Sequence, residues 1–113
     1  MKLKEYRVLV LMFIIGRKGI TSSFDIQQLL ISFKCPVMSL DFIKMMVDEK
    51  LIDEIKEHTE VGKLLYEINK EHCSTLLDKK NIDDVINMLG KTETKIKLLG
   101  VFKEKVLSNS LNY

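Results

Sequence analysis

Residues 19–52 read GITSSFDIQQLLISFKCPVMSLDFIKMMVDEKLI, and this stretch decides the fold. It contains two short amphipathic segments, Phe24–Phe33 and Ser39–Lys50, on either side of Pro36. Because a proline disfavours helical geometry in the residue before it, the first segment is expected to end near Phe33. In the second segment, apolar side chains recur every three or four residues, which predicts a helix with one buried stripe. The stretch therefore predicts two helices joined by a short turn.

The residues before this pair predict another helix and a short extended link. Leu3–Ile15 is apolar on nearly every face, so we expect a helix that other elements cover on more than one side. Ile20 and Thr21 are expected to be extended. Thr21, Ser22 or Ser23 can then accept hydrogen bonds from the free amides that open the next helix.

Each helix of the pair is expected to bury one side. The expected buried positions are Phe24, Ile26, Leu29, Leu30 and Phe33 in the first helix and Phe42, Ile43, Met46, Val47 and Leu51 along the second.

After the pair, the spacing of the apolar residues changes from 3.6 to 2. Leu64, Tyr66 and Ile68 alternate with residues of the opposite face, which is typical of a half-buried strand. Asp53–His58 is predicted to be its partner strand, and Gly62 can adopt the positive φ that the connecting turn favours. The predicted order is therefore helix, turn, helix and a two-stranded ribbon.

The last third of the chain predicts a further helix. Asn81, which is followed by two aspartates, is expected to start it, because these residue types favour a helix N-terminus. Apolar residues keep helical spacing from Ile82 onward, with a bend or break expected near Gly90. We therefore predict a domain over residues 1–78 and a C-terminal helix over residues 79–113, together forming one compact domain.

Composition agrees with a folded domain and sets few limits on function. The chain has 113 residues, of which 46% are apolar and 30% charged, so it can bury one core. A net charge of +2 neither demands nor excludes a nucleic-acid partner. The longest apolar run, Val8–Ile15, is too short to cross a bilayer, and residues 16–18 offer no signal-peptide cleavage site. We therefore expect a cytoplasmic protein without a membrane partner.

Catalytic and metal-binding patterns are absent from the sequence. It has no Gly-rich phosphate loop, no HExxH and no Ser or Cys nucleophile signature, so we expect neither an enzyme nor a cofactor. Cys35 and Cys73 lack CxxC spacing and are expected to be free thiols, with a disulfide as the alternative. His72 and Cys73 are adjacent, so their side chains would diverge on a helix. We therefore expect no metal site.

The order of elements resembles the winged helix-turn-helix superfamily, particularly small dimeric regulators of the MarR/PadR kind and their viral and archaeal relatives. The matching segments are GITSSFDIQQLL, FIKMMVDEKLIDEI and KLLYEIN, within about Leu3–Asn69. Family members commonly have Gly where this chain has Lys50, and an aromatic and an aliphatic residue where Tyr66 and Ile68 stand. The resemblance implies a mainly α fold with a small β-ribbon, followed by a C-terminal dimerisation helix.

The same resemblance implies a transcriptional regulator that binds double-stranded DNA. In that family geometry the second helix of the pair lies in the major groove. The implied contacts to bases are Ser39, Leu40, Asp41, Lys44 and Met45, and those to phosphate are Ser22, Lys34, Lys56 and Lys63. The helix pair contains no arginine, so the common contact between Arg and guanine is not available from it.

The protein is also expected to form a homodimer, with one DNA half-site for each subunit. The apolar first helix and the apolar stripe of the last helix motivate this expectation. The expected interface residues are Val10, Phe13, Ile14, Ile96, Leu99 and Phe102.

The alternative is a winged helix that binds a protein instead of DNA. Leu40 and Met45 place apolar side chains on the face that would meet DNA. Acidic residues would also repel phosphates nearby. These are Asp48, Glu49, Asp53, Glu54 and Glu57.

Overall fold

The computed structural model describes residues 1–55 and 64–88, which form a mainly helical structure with one small antiparallel sheet. The described elements, in chain order, are α1 (Leu3–Gly16), β1 (Ile20–Ser22), α2 (Ser23–Ser32), α3 (Ser39–Asp48), β2 (Ile52–Glu54), β3 (Leu65–Ile68), α4 (Lys70–Cys73) and α5 (Lys79–Met88). The predicted combination of helices and a small β component is confirmed.

The sheet has three strands where the sequence predicted a ribbon of two. β3 lies in the centre and pairs antiparallel with β1 on one side and β2 on the other. Tyr66 and Ile68 are buried, as the alternation predicted, but Leu64 precedes β3 and is exposed. The extended link at Ile20 is therefore part of the sheet, and it fixes the start of α2 against β3.

α1 is the central element of the fold. It packs against α2, α5, β1 and β3, and every residue of Val8–Gly16 is buried. The prediction that this helix is covered on more than one side is confirmed. Its coverage changes the dimer prediction, because Val10, Phe13 and Ile14 are each at most 5% exposed within one chain. These three side chains therefore have almost no surface to offer a second subunit.

α2 and α3 bury one side each, mostly as predicted. Ile26, Leu29 and Leu30 are buried in α2, and Phe42, Ile43, Met46 and the following Leu51 are buried along α3. Phe33 and Val47 are half-buried against the core, and Phe24 is the exception. It lies in the first turn of α2 and its side chain is 64% exposed, so its predicted place in the core is wrong.

α1, α2 and α3 all end in the same hydrogen-bonded turn, and each turn contains a lysine with positive φ. The φ values are 65° at Lys18, 54° at Lys34 and 61° at Lys50. In each turn the amide that follows the lysine donates to a carbonyl five residues earlier, as in a Schellman motif. These bonds are Gly19 to Ile14 (2.9 Å), Cys35 to Leu30 (3.0 Å) and Leu51 to Met46 (3.0 Å).

The start of α5 differs from the prediction. Asp78 caps the helix, because its Oδ1 accepts a hydrogen bond from the Asn81 amide at 2.8 Å. Asn81 instead lies inside the helix, is buried, and donates from Nδ2 to the Leu76 carbonyl at 3.1 Å. α5 begins at Lys79, two residues before the predicted start. The predicted continuation of this helix from Leu89 lies outside the described residues.

Candidate nucleic-acid interface

The first two turns of α3 form an accessible surface. Leu40 is 59% exposed, and Asp41 and Lys44 are exposed beside it, whereas Phe42 faces the core and is fully buried. Leu40 and Lys44 are four residues apart, so their side chains are neighbours on one side of the helix. Three of the five predicted base contacts therefore share one surface.

The structure adds Met38 to this surface. Met38 is the residue before α3, makes no side-chain capping hydrogen bond, and is 74% exposed. We refer to Met38, Leu40, Asp41 and Lys44 together as the α3 face. Met38 is not among the predicted contacts, although an apolar residue immediately before an exposed first turn is itself a signal.

Met45 and Ser39 are less exposed than the other predicted base contacts. Both are half-buried, and the Met45 Sδ accepts a hydrogen bond from Arg7 Nη2 at 3.5 Å. This contact holds the Met45 side chain against Arg7 of α1, in a groove that Asp41 and Lys44 also line. The contact of Met45 with a base stays a prediction.

The predicted phosphate contacts have different outcomes. Lys34 is exposed in the turn after α2, where a phosphate could approach it. Ser22 is buried, and its Oγ accepts from the Asp25 amide at 3.2 Å, so this hydroxyl caps α2 and is shielded from any phosphate. Lys56 and Lys63 lie outside the described residues.

Both arginines of the chain are held in ion pairs. Arg7 Nε lies 3.0 Å from Glu49 Oε1, which ties α1 to the end of α3. Arg17 Nη1 lies 2.9 Å from Asp25 Oδ2, and its guanidinium carbon is 4.6 Å from the centre of the Phe13 ring. Arg7 is mostly covered, whereas the Arg17 side chain is 48% exposed, so Arg17 and the exposed lysines are the cations that the described surface offers to a partner.

A second surface, beyond the α3 face, is acidic. Asp48 and Glu49 are exposed near the end of α3, and Asp53 and Glu54 are exposed in β2. Asp53 also lies directly opposite Glu67 of β3, and like charges in this position repel each other. We refer to these five residues collectively as the acidic surface; within the sheet, Asp53 and Glu67 share one face and Glu54 lies on the other. It disfavours phosphate at the C-terminal end of α3.

An open groove of about 560 Å³ lies between α1 and α3. Its lining residues are Arg7, Asp41, Lys44, Met45, Asp48 and Glu49. Three carboxylates and two cations share this groove, so it has no strong preference for an anion.

The two cysteines are free thiols, as expected, and not a disulfide. Cys73 is buried, and this burial raises the pKa of its thiol above the usual value, which keeps it in the less reactive protonated form. Cys35 is half-buried.

Other kinds of site find no support among the described residues. Residues 1–55 and 64–88 contain no group of three or more His, Cys, Asp or Glu side chains that could hold a metal ion. Within the same ranges, no helix has both the length and the apolar character needed to cross a membrane.

Comparison with family models, with characterised proteins and with solved structures finds no match to this chain.

Proposed function

We propose that this chain is a double-stranded DNA-binding protein of the winged-helix kind, in which α3 enters the major groove. The observation that carries the proposal is the placement of α3. Its inner side is fixed in the core by Phe42 and Met46, while its first two turns are exposed. Recognition helices in helix-turn-helix proteins contact base edges through their N-terminal residues in the same way.

The order of elements supports the same proposal. β1 precedes α2, and β2 and β3 follow α3, so the helix pair is flanked by one sheet that contains all three strands. A winged helix requires this order, with the β2–β3 connection as the wing. The connection itself lies outside the described residues.

Two described lysines are placed to meet the DNA backbone or the base edges. Lys44 stands on the α3 face, and Lys34 lies in the turn that leads into α3. The acidic surface begins at the opposite end of α3, so an N-terminal approach to the groove keeps its carboxylates away from the nearest phosphates.

Transcriptional regulation as a homodimer is the biological role that we propose for this binding. Since α1 is covered within one chain, the contacts between subunits would be made by the predicted C-terminal residues Ile96, Leu99 and Phe102. A dimer would present two α3 helices to two half-sites of a palindromic duplex.

Fluorescence anisotropy with a labelled duplex across a series of salt concentrations tests the proposal. We expect Lys34→Ala and Lys44→Ala each to lower the slope of log affinity against log salt by about 1 per binding site. Lys79→Ala is the matched control, because Lys79 is exposed at the start of α5, and it should leave the slope unchanged. Equal slopes in all four proteins would contradict the role given to α3.

The alternative function is recognition of a protein. The acidic surface favours it, because Asp53 and Glu67 face each other across two strands and a cationic partner would relieve their repulsion. This alternative predicts no salt-sensitive binding to DNA and a loss of partner binding in Asp53→Asn. The anisotropy experiment therefore separates the two functions.

A further inference from the structure

The α3 face is unusual for a DNA-reading surface because half of it is apolar. Met38 and Leu40 are among the most exposed large hydrophobic side chains of the described residues. Met38 precedes α3 and Leu40 lies in its first turn, where base edges would be read. The apolar character of these two side chains therefore indicates which feature of the base edges they would contact.

Hydrogen-bonding groups are few at this position. Asp41 and Lys44 are the exposed polar side chains of the α3 face, and neither arginine belongs to it. A bidentate arginine, the commonest specific contact to guanine, is therefore not offered by the α3 face.

An apolar side chain recognises one feature of the major groove, which is the C5-methyl group of thymine. We propose that the α3 face selects thymine-rich sites, with Leu40 and Met38 covering thymine methyl groups. This inference rests on the proposed function, since it concerns the same helix in the same groove. Lys44, one turn after Leu40, would then bind a phosphate or a base acceptor beside the covered methyl group.

A comparison of thymine with uracil tests the inference, because the two bases differ only in that methyl group. The protein is titrated at low salt into two labelled DNA duplexes of alternating sequence. One contains adenine and thymine, and the other contains adenine and uracil on the same deoxyribose backbone. We expect the thymine duplex to bind about threefold more tightly for each methyl group that is covered.

Two variants test whether the α3 face is responsible for the preference for thymine over uracil. Leu40→Ala should lower the ratio of the two affinities by the factor of one methyl group, because Met38 still covers the other. Ile31→Ala is the matched control, because Ile31 is an isomer of leucine and is 62% exposed on α2. It should keep the wild-type ratio.

The possible outcomes distinguish a failure of thymine selection from a failure of DNA binding itself. Binding of both duplexes with equal affinity would overturn thymine selection and leave DNA binding intact. An affinity ratio that is unchanged in Leu40→Ala would also overturn the inference, because another part of the protein would then contact the methyl group. No binding to either duplex at low salt would overturn the proposed function and the inference with it.

Discussion

Lys18, Lys34 and Lys50 hold the left-handed backbone conformation that glycine usually provides at the end of a helix. The β-carbon of a non-glycine residue crowds the following carbonyl in this conformation. The three turns persist because the amide after each lysine completes a hydrogen bond and buried residues such as Leu51 follow directly. The sequence alone did not reveal these turns at Lys18 and Lys34, since lysine carries no preference for them.

Lys50→Gly should therefore stabilise the protein. Glycine relieves the steric crowding at φ of 61° but also gives the unfolded chain more freedom, so we expect a net gain of about 0.5–1 kcal/mol. Chemical denaturation measures the free energy of unfolding. Lys44→Gly is the control within α3, where glycine should lower stability by about 1 kcal/mol. A loss of stability in Lys50→Gly would show that the lysine side chain contributes to the turn.

Substitutions at the neighbouring residues Thr21 and Ser22 are expected to change the free energy of unfolding in opposite directions. Thr21 is buried and its Oγ1 has no hydrogen-bond partner among the described residues, whereas Ser22 Oγ caps α2. Thr21→Val should raise the free energy of unfolding by about 1 kcal/mol, because it removes an unpaired buried hydroxyl of similar shape. Ser22→Ala should lower it by about 1 kcal/mol. Destabilisation by both substitutions would mean that the Thr21 hydroxyl has a partner in solution.

At the scale of elements, the spacing of apolar residues predicted which sides of α3 and β3 are buried, and the packing confirms both. The stripe containing Phe42 and Met46 and the alternation at Tyr66 and Ile68 identified the buried sides of α3 and β3. The sequence did not predict the pairing of β1 with β3, because a three-residue strand has too few positions to show a period. It also misplaced Phe24, since periodicity cannot tell which residues of a short helix extend beyond its neighbours.

The cap of α5 is a second feature that the sequence misplaced, and it can be tested directly. Asp78→Ala removes the acceptor for the Asn81 amide and should destabilise the protein by about 1 kcal/mol. Asp83→Ala, within the same helix, is the control and should change the free energy of unfolding by less than half as much. Thermal denaturation followed by circular dichroism measures both. Equal effects would place the helix start later than Lys79.

At the scale of the whole molecule, the burial of α1 restricts how subunits can meet. Residues Val8–Gly16 have neighbours on all sides within one chain, so a dimer cannot be built on them without opening the core. The sequence suggested an interface here because it shows that a helix is apolar all round but not what covers it. The resemblance to winged-helix proteins likewise implied Leu40, Asp41 and Lys44 of the α3 face, but not that Met45 would contact Arg7.

We still expect a homodimer, with contacts supplied by the predicted C-terminal residues. Sedimentation velocity at micromolar protein should give the mass of two chains, and Leu99→Arg should give the mass of one, because a buried unpaired charge opposes association. Val10→Arg would be uninformative, since it should unfold the chain. A wild-type protein that sediments as a monomer at this concentration would contradict the dimer.

The central claim, that the first two turns of α3 bind DNA, is tested most directly by NMR. Amide chemical shifts of the isotope-labelled protein are recorded while a duplex is added at low salt. We expect the largest changes at Lys34 and along Met38–Lys44, with little change at Asp53 and Glu67 on the acidic surface. Changes concentrated on the acidic surface, or no change anywhere at low salt, would contradict the account.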